Sequence, residues 1–141
     1  MPQYLFDRLQ RVQNAAARIV MLVPKFDHIS GVMCDLHWLP VKYRVQFKIL
    51  LLTFKCQYGL APSYLRDMIC EHIPPRSSRS SNVKFVLKVP RTKRKTLGTR
   101  SFRFYAPELW NSLPMEIRSV DDVDTFKSMV KTYLFKKAYD L

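Results

Sequence analysis

The stretch Lys42–Tyr58, KYRVQFKILLLTFKCQY, decides how the rest of this chain is read. Val45, Ile49, Leu52 and Cys56 fall at helical steps on one row. Phe47, Leu50, Leu51 and Phe54 widen that row to most of the circumference. A helix that is apolar nearly all round has to be enclosed by other elements, so it belongs at the centre of a bundle. Gly59 follows as the residue best able to take the left-handed conformation that ends such a helix.

Working outward, helical patterns recur on both sides. Towards the N-terminus, Leu5, Leu9, Val12, Ala16, Ile19 and Val23 recur at steps of four and three. They predict a helix from about Gln3 to Val23, closed by Pro24, with this stripe inward. A shorter helix over Ile29–Leu36 would turn Val32, Met33 and Leu36 inward. Beyond Gly59, the Ala61-Pro62-Ser63 start signal predicts a helix over Ser63–His72 facing in with Leu65, Met68 and Ile69. Helical pattern returns near Ser101, with Phe102, Tyr105, Leu109 and Trp110 on one face; Pro107 is expected to kink or restart this helix. The last helix, Asp122–Tyr139, has Ser119 or Asp121 as its expected cap. Val123, Phe126, Val130, Tyr133 and Leu134 form its buried stripe.

Between these helical parts the composition changes. Arg76, Arg79, Lys84, Lys88, Arg91, Lys93, Arg94, Lys95, Arg100 and Arg103 crowd a stretch opened by Pro74-Pro75, and no Asp or Glu occurs between Glu71 and Glu108. Phe85–Val89 reads as a strand ended by Pro90, and Thr96–Thr99 as a turn or second short strand. The expected fold is therefore mainly α, a small helical bundle with a short basic β-hairpin or arm inserted at about 76–100. The expected segments are 1–73, 74–100 and 101–141, the last packing on the first to make one domain or domain fragment.

The formal net charge of +13, from 24 Lys and Arg against 11 Asp and Glu, is easiest to accommodate with an anionic partner. Clustered cations without competing carboxylates suit phosphate neutralisation. The interleaved Phe85, Phe102, Phe104 and Tyr105 could stack on unpaired bases. The ten cations of the insert are thus the candidate nucleic-acid-binding residues, with RNA or DNA as partner. A second basic set, Lys42, Arg44, Lys48 and Lys55, reads better as the solvated rim of a buried helix.

Other chemistries find less support. Cys34-x-x-His37 and Cys70-x-His72 could supply four zinc ligands, but the second spacing is tight and the intervening length matches no zinc pattern. No metal or other cofactor is expected. Three Gly provide no phosphate-binding loop, and no nucleophile stands beside a base and an acid, so no catalytic residue is expected. Asp121-Asp122 opens a helix, which capping explains better than metal binding. Three irregularly spaced Cys imply no disulfide framework and a reducing compartment. No signal peptide and no membrane-length apolar run is evident, so an intracellular location, nuclear or cytoplasmic, and no membrane partner are expected.

A series of short motifs adds to this reading. They are RLQRVQNAAAR at 8–18, HWLPV at 37–41, FKILL at 47–51, GLAPSYL at 59–65, VPRT at 89–92 and APELWNSLP at 106–114. Phe126-Lys127 and KTYLF at 131–135 close the series. In this order they resemble the region downstream of the reverse-transcriptase domain in LINE-type (non-long-terminal-repeat, jockey-like) retrotransposon polyproteins. The resemblance covers about residues 8–136. It implies a parent protein with an endonuclease, a polymerase and this C-terminal region, which copies element RNA at a nicked DNA target. The polymerase's Ala-Asp-Asp motif is absent, so no catalytic residue carries over, and the family supplies no defined site for this tail. Met1 lies just ahead of the first motif, which suggests a reading frame that starts inside a degraded element copy.

Two functions follow as expectations. One is a non-catalytic nucleic-acid-binding segment of such a polyprotein. The other is a structural or interaction segment that packs against the reverse-transcriptase domain; a third reading is a retroelement remnant with no selected function. An exposed face on the first helix, at Leu5, Leu9 and Val12, would favour the second.

Overall fold

The computed structural model of the chain describes residues 2–72, 85–91 and 98–140. Among these the fold is mainly helical: α1 (Gln3–Met21), α2 (Ile29–Asp35), α3 (Val41–Gln57), α4 (Ser63–Arg66), α5 (Phe102–Asn111), α6 (Met115–Arg118) and α7 (Val123–Tyr139). No helix among them is long and apolar enough to cross a membrane. The chain divides into two compact units, Met1–Phe47 with Lys131–Leu141 and Lys48–Val130.

The first unit holds α1, packed against α2. The register of α1 differs from the one its apolar stripe predicts. Its buried residues are Gln13 and Ala17. Leu9, Val12 and Ile19 are 47%, 69% and 74% exposed. The reason lies in the backbone ahead of α3. Gln13 Nε2 donates to the Leu39 carbonyl at 2.9 Å. Gln10 Oε1 accepts from the Val41 N–H, one of the first-turn amides that no intrahelical partner reaches, also at 2.9 Å. Gln10 Nε2 in turn donates to Asn14 Oδ1. Buried peptide groups left unpaired cost about 1–3 kcal/mol each. Satisfying them outweighs the gain from turning Leu9 or Val12 inward. On the C-terminal piece of this unit, Tyr139 donates its hydroxyl to the Trp38 carbonyl, and Phe135 stacks on His37 at 5.6 Å.

The second unit is built on α3. Leu50 and Phe54 are fully buried, and Thr53 is buried by returning its hydroxyl to the Ile49 carbonyl. Phe54, Phe126 and Trp110 form a stack with ring centroids 4.4 and 5.6 Å apart. Trp110 comes from α5, which runs unbroken through Pro107 instead of restarting. The carbonyl that Pro107 leaves without an amide belongs to the exposed Arg103, where water can serve it. Of the expected C-terminal stripe, Phe126 and Val130 are buried in this unit and Leu134 in the first, while Val123 and Tyr133 are half-buried. The cap of α7 is neither Ser119 nor Asp121 but Asp122, whose Oδ2 accepts from the Thr125 N–H at 2.7 Å. That bond holds the Asp122 carboxyl below its ordinary pKa.

The ends of α1, α2 and α3 share one device. A left-handed residue (Leu22, His37, Gly59) lets the next amide reach back five residues: Val23 to Arg18, Trp38 to Met33, Leu60 to Lys55. Gly59 is thus the terminator its position predicts. At the other two ends non-glycine residues bear the steric cost.

The helix expected over 63–72 stops at Arg66. A turn follows at 67–68, and beyond it the Cys70 carbonyl accepts from Lys88 N–H and the His72 N–H donates to the Val86 carbonyl. This makes an isolated antiparallel bridge between Glu71 and Leu87. Of the strand expected at 85–89, only that bridge is formed, and no hairpin is present among the described residues of 76–100.

Candidate nucleic-acid interface

The segment 85–91 carries Lys88 and Arg91 and is held by Asn111, to which the sequence assigned no role, and by Trp110, expected there only as part of a helix face. Asn111 pairs with both peptide groups of Leu87: its Oδ1 accepts from the Leu87 N–H at 2.9 Å and its Nδ2 donates to the Leu87 carbonyl at 2.8 Å. Trp110 Nε1 donates to the Phe85 carbonyl at 2.8 Å. With the Leu87 side chain 1% exposed, the segment is clamped from both sides, by the bridge to Glu71 and by the end of α5. The clue in the sequence was Trp110-Asn111 within the 106–114 motif. An asparagine near a helix end reads there as a stop signal, and only the fold reveals the extended backbone it grips.

On this frame, Lys88, Arg91, Arg100 and Arg103 are all exposed. None forms an ion pair with a described residue; the ion pair found among them is Lys127–Asp124. Arg91 and Arg103 line one groove of about 270 Å³ with Pro90, Gly98, Ser101 and Phe104. It is smaller than pockets that enclose drug-sized ligands, roughly 300–1,000 Å³, and suits a contact with a chain running over the surface. Ser101 caps α5 without a side-chain bond to it, and no acid stands in the first turn, so the positive end of the helix dipole adds to the two guanidinium groups. Phe104 is the aromatic that the fold puts beside the cations; Phe85 is 40% exposed, and Phe102 and Tyr105 are half-buried. Arg76, Arg79, Lys84, Lys93, Arg94 and Lys95 lie outside the described residues.

The fold also brings an acid alongside. Glu71, the acid that borders the basic stretch in sequence, sits opposite Leu87 in the bridge and lines a separate hollow with Cys56, Gln57, Arg66, Ile69 and Leu87. Cys56 is buried there, which pushes its thiol pKa up, with Arg66 acting the other way. Of the second basic set, Lys42, Arg44 and Lys48 are exposed and Lys55 is half-buried. Among the described residues no three His, Cys, Asp or Glu gather where they could hold a metal ion. In the first unit a hollow of about 500 Å³ is lined by Gln10, Asn14, Met33, Pro40 and Tyr139 among others, with no His, Cys or Lys in its wall.

No family model matches the chain, and comparison with curated proteins and with solved structures gives no match either.

Proposed function

We propose that this chain is a non-catalytic nucleic-acid-binding segment, of the kind found downstream of the polymerase in LINE-type retrotransposon polyproteins, and that it grips the phosphates of RNA or DNA. One observation carries this reading. Lys88, Arg91, Arg100 and Arg103 stand exposed and without ion pairs to described residues, and two of them share a groove with Phe104. Cations in that state exchange mobile counterions for phosphates at little cost in broken contacts. The test is binding of labelled single-stranded RNA and duplex DNA across a salt series. The wild type is compared with a variant carrying Ala at Lys88, Arg91, Arg100 and Arg103. Steep salt dependence is expected, with a slope shallower by about three to four phosphate contacts in the variant. Equal slopes would overturn the reading.

A second reading, an interaction segment that packs against a neighbouring protein element such as the polymerase, is favoured by a different observation. Of the three residues that would mark such a face, Leu9 and Val12 of α1 are exposed and Leu5 is half-buried.

A further inference from the structure

The exposed side of α1 has a definite pattern. Arg8, Val12, Ala15 and Ile19 recur at steps of four, three and four, and all four are exposed. That spacing is the seam by which one helix receives another, with the small Ala15 allowing close approach. One edge of the seam is apolar, with Leu9 and Val20 47% and 58% exposed. The other edge is Arg11, and Arg8 opens the seam itself; neither forms an ion pair with a described residue. The single acid of the helix, Asp7, accepts from Gln3. From Leu9 to Val20 the seam runs about 16 Å, at 1.5 Å per residue.

We infer that this face docks an amphipathic helix of another protein element, one whose apolar stripe is bordered by carboxylates that meet Arg8 and Arg11. The inference rests on the interaction-segment reading and names what that segment binds. Charge selects the occupant. A second copy of this chain would bring no carboxylate of this face to Arg8 and Arg11, and the two partners would repel under a net charge of +13 each. A helix with acidic flanks removes that conflict and fits the apolar edge as well.

The probe is a labelled helical peptide of about three heptads, leucine and isoleucine in the seam and glutamate on the flanks. It is compared with a scrambled peptide of identical composition and with a lysine-flanked version. The glutamate-flanked peptide is expected to bind at least about tenfold more tightly than either control, a difference of about 1.4 kcal/mol. V12S with I19S should remove that advantage while leaving helical circular dichroism and RNA affinity unchanged, since both side chains are exposed. Arg8→Glu with Arg11→Glu should shift preference towards the lysine-flanked peptide. Equal binding of glutamate- and lysine-flanked peptides would overturn the acidic partner while keeping a helix-docking face. Binding no better than the scrambled peptide, or unaffected by V12S and I19S, would overturn the interaction reading as well. Self-association or capture of anionic vesicles that is lost in V12S with I19S would overturn the proposed occupant.

Discussion

Leu22 occupies a left-handed backbone position with φ 53° while its side chain is 89% exposed. It bears the steric cost of a β-carbon there and returns almost no burial. Leu22→Gly is therefore expected to stabilise the chain by about 0.5–1 kcal/mol, seen as a higher melting temperature. Asn111 is the opposite case. Asn111→Ala strands both peptide groups of the buried Leu87, at a cost of about 1–3 kcal/mol for an unsatisfied group; chemical denaturation measures it. Tyr58 carries a pH signature. Its hydroxyl donates to Asp121 at 2.7 Å. Burial first, then that hydrogen bond and the nearby charge, push its pKa up to about 12. A phenol with a raised pKa contributes stability in full below its unfolded value and loses it as pH rises through the folded value. The absorbance titration should thus show one tyrosine ionising near 12 that is missing in Tyr58→Phe.

At the scale of elements, what a helix buries depends on what its neighbours leave unpaired. The Gln10 and Gln13 amides of α1 serve Val41 and Leu39, so two of the motifs read from the sequence, 8–18 and 37–41, are joined by hydrogen bonds. The 106–114 motif grips the segment that leads into the 89–92 motif in the same way, through Asn111. Helix α7 begins at a titratable cap. Because the Asp122 pKa is lowered, its contribution is present above the ordinary carboxylate range and lost as pH falls through the folded value. Asp122→Asn keeps an acceptor for the Thr125 amide without the titration. The variant is expected to match the wild type near neutrality and to show a shallower loss of stability in acid, measured by thermal melts across pH.

For the whole molecule, the dominant quantity is charge. With a net charge of +13 and an ion pair formed among the described residues only at Lys127–Asp124, repulsion is barely offset internally. Added salt shortens the Debye length from about 30 Å at 0.01 M to about 8 Å at 0.15 M. The melting temperature of the free chain is expected to rise over that range, while affinity for RNA or DNA falls. A melting temperature that does not move with salt would mean that the charge is already compensated within the fold.

The positions of the helices other than the short α6, the helix that is apolar nearly all round, the glycine at its end and the excess of positive charge were legible from residue types alone. Each follows from local periodicity, backbone sterics or counting. The exposure of Leu9, Val12 and Ile19 on α1, the shortening of α4 and which aspartate of the Asp121-Asp122 pair caps α7 were not. Those depend on which backbone groups, far apart in the chain, come to need a partner: Leu39 and Val41 recruit Gln13 and Gln10, and Leu87 recruits Asn111. Hydrophobic periodicity says which residues can be buried. The tertiary structure decides which are, because an unpaired peptide group in the interior costs as much as a buried leucine side chain gains.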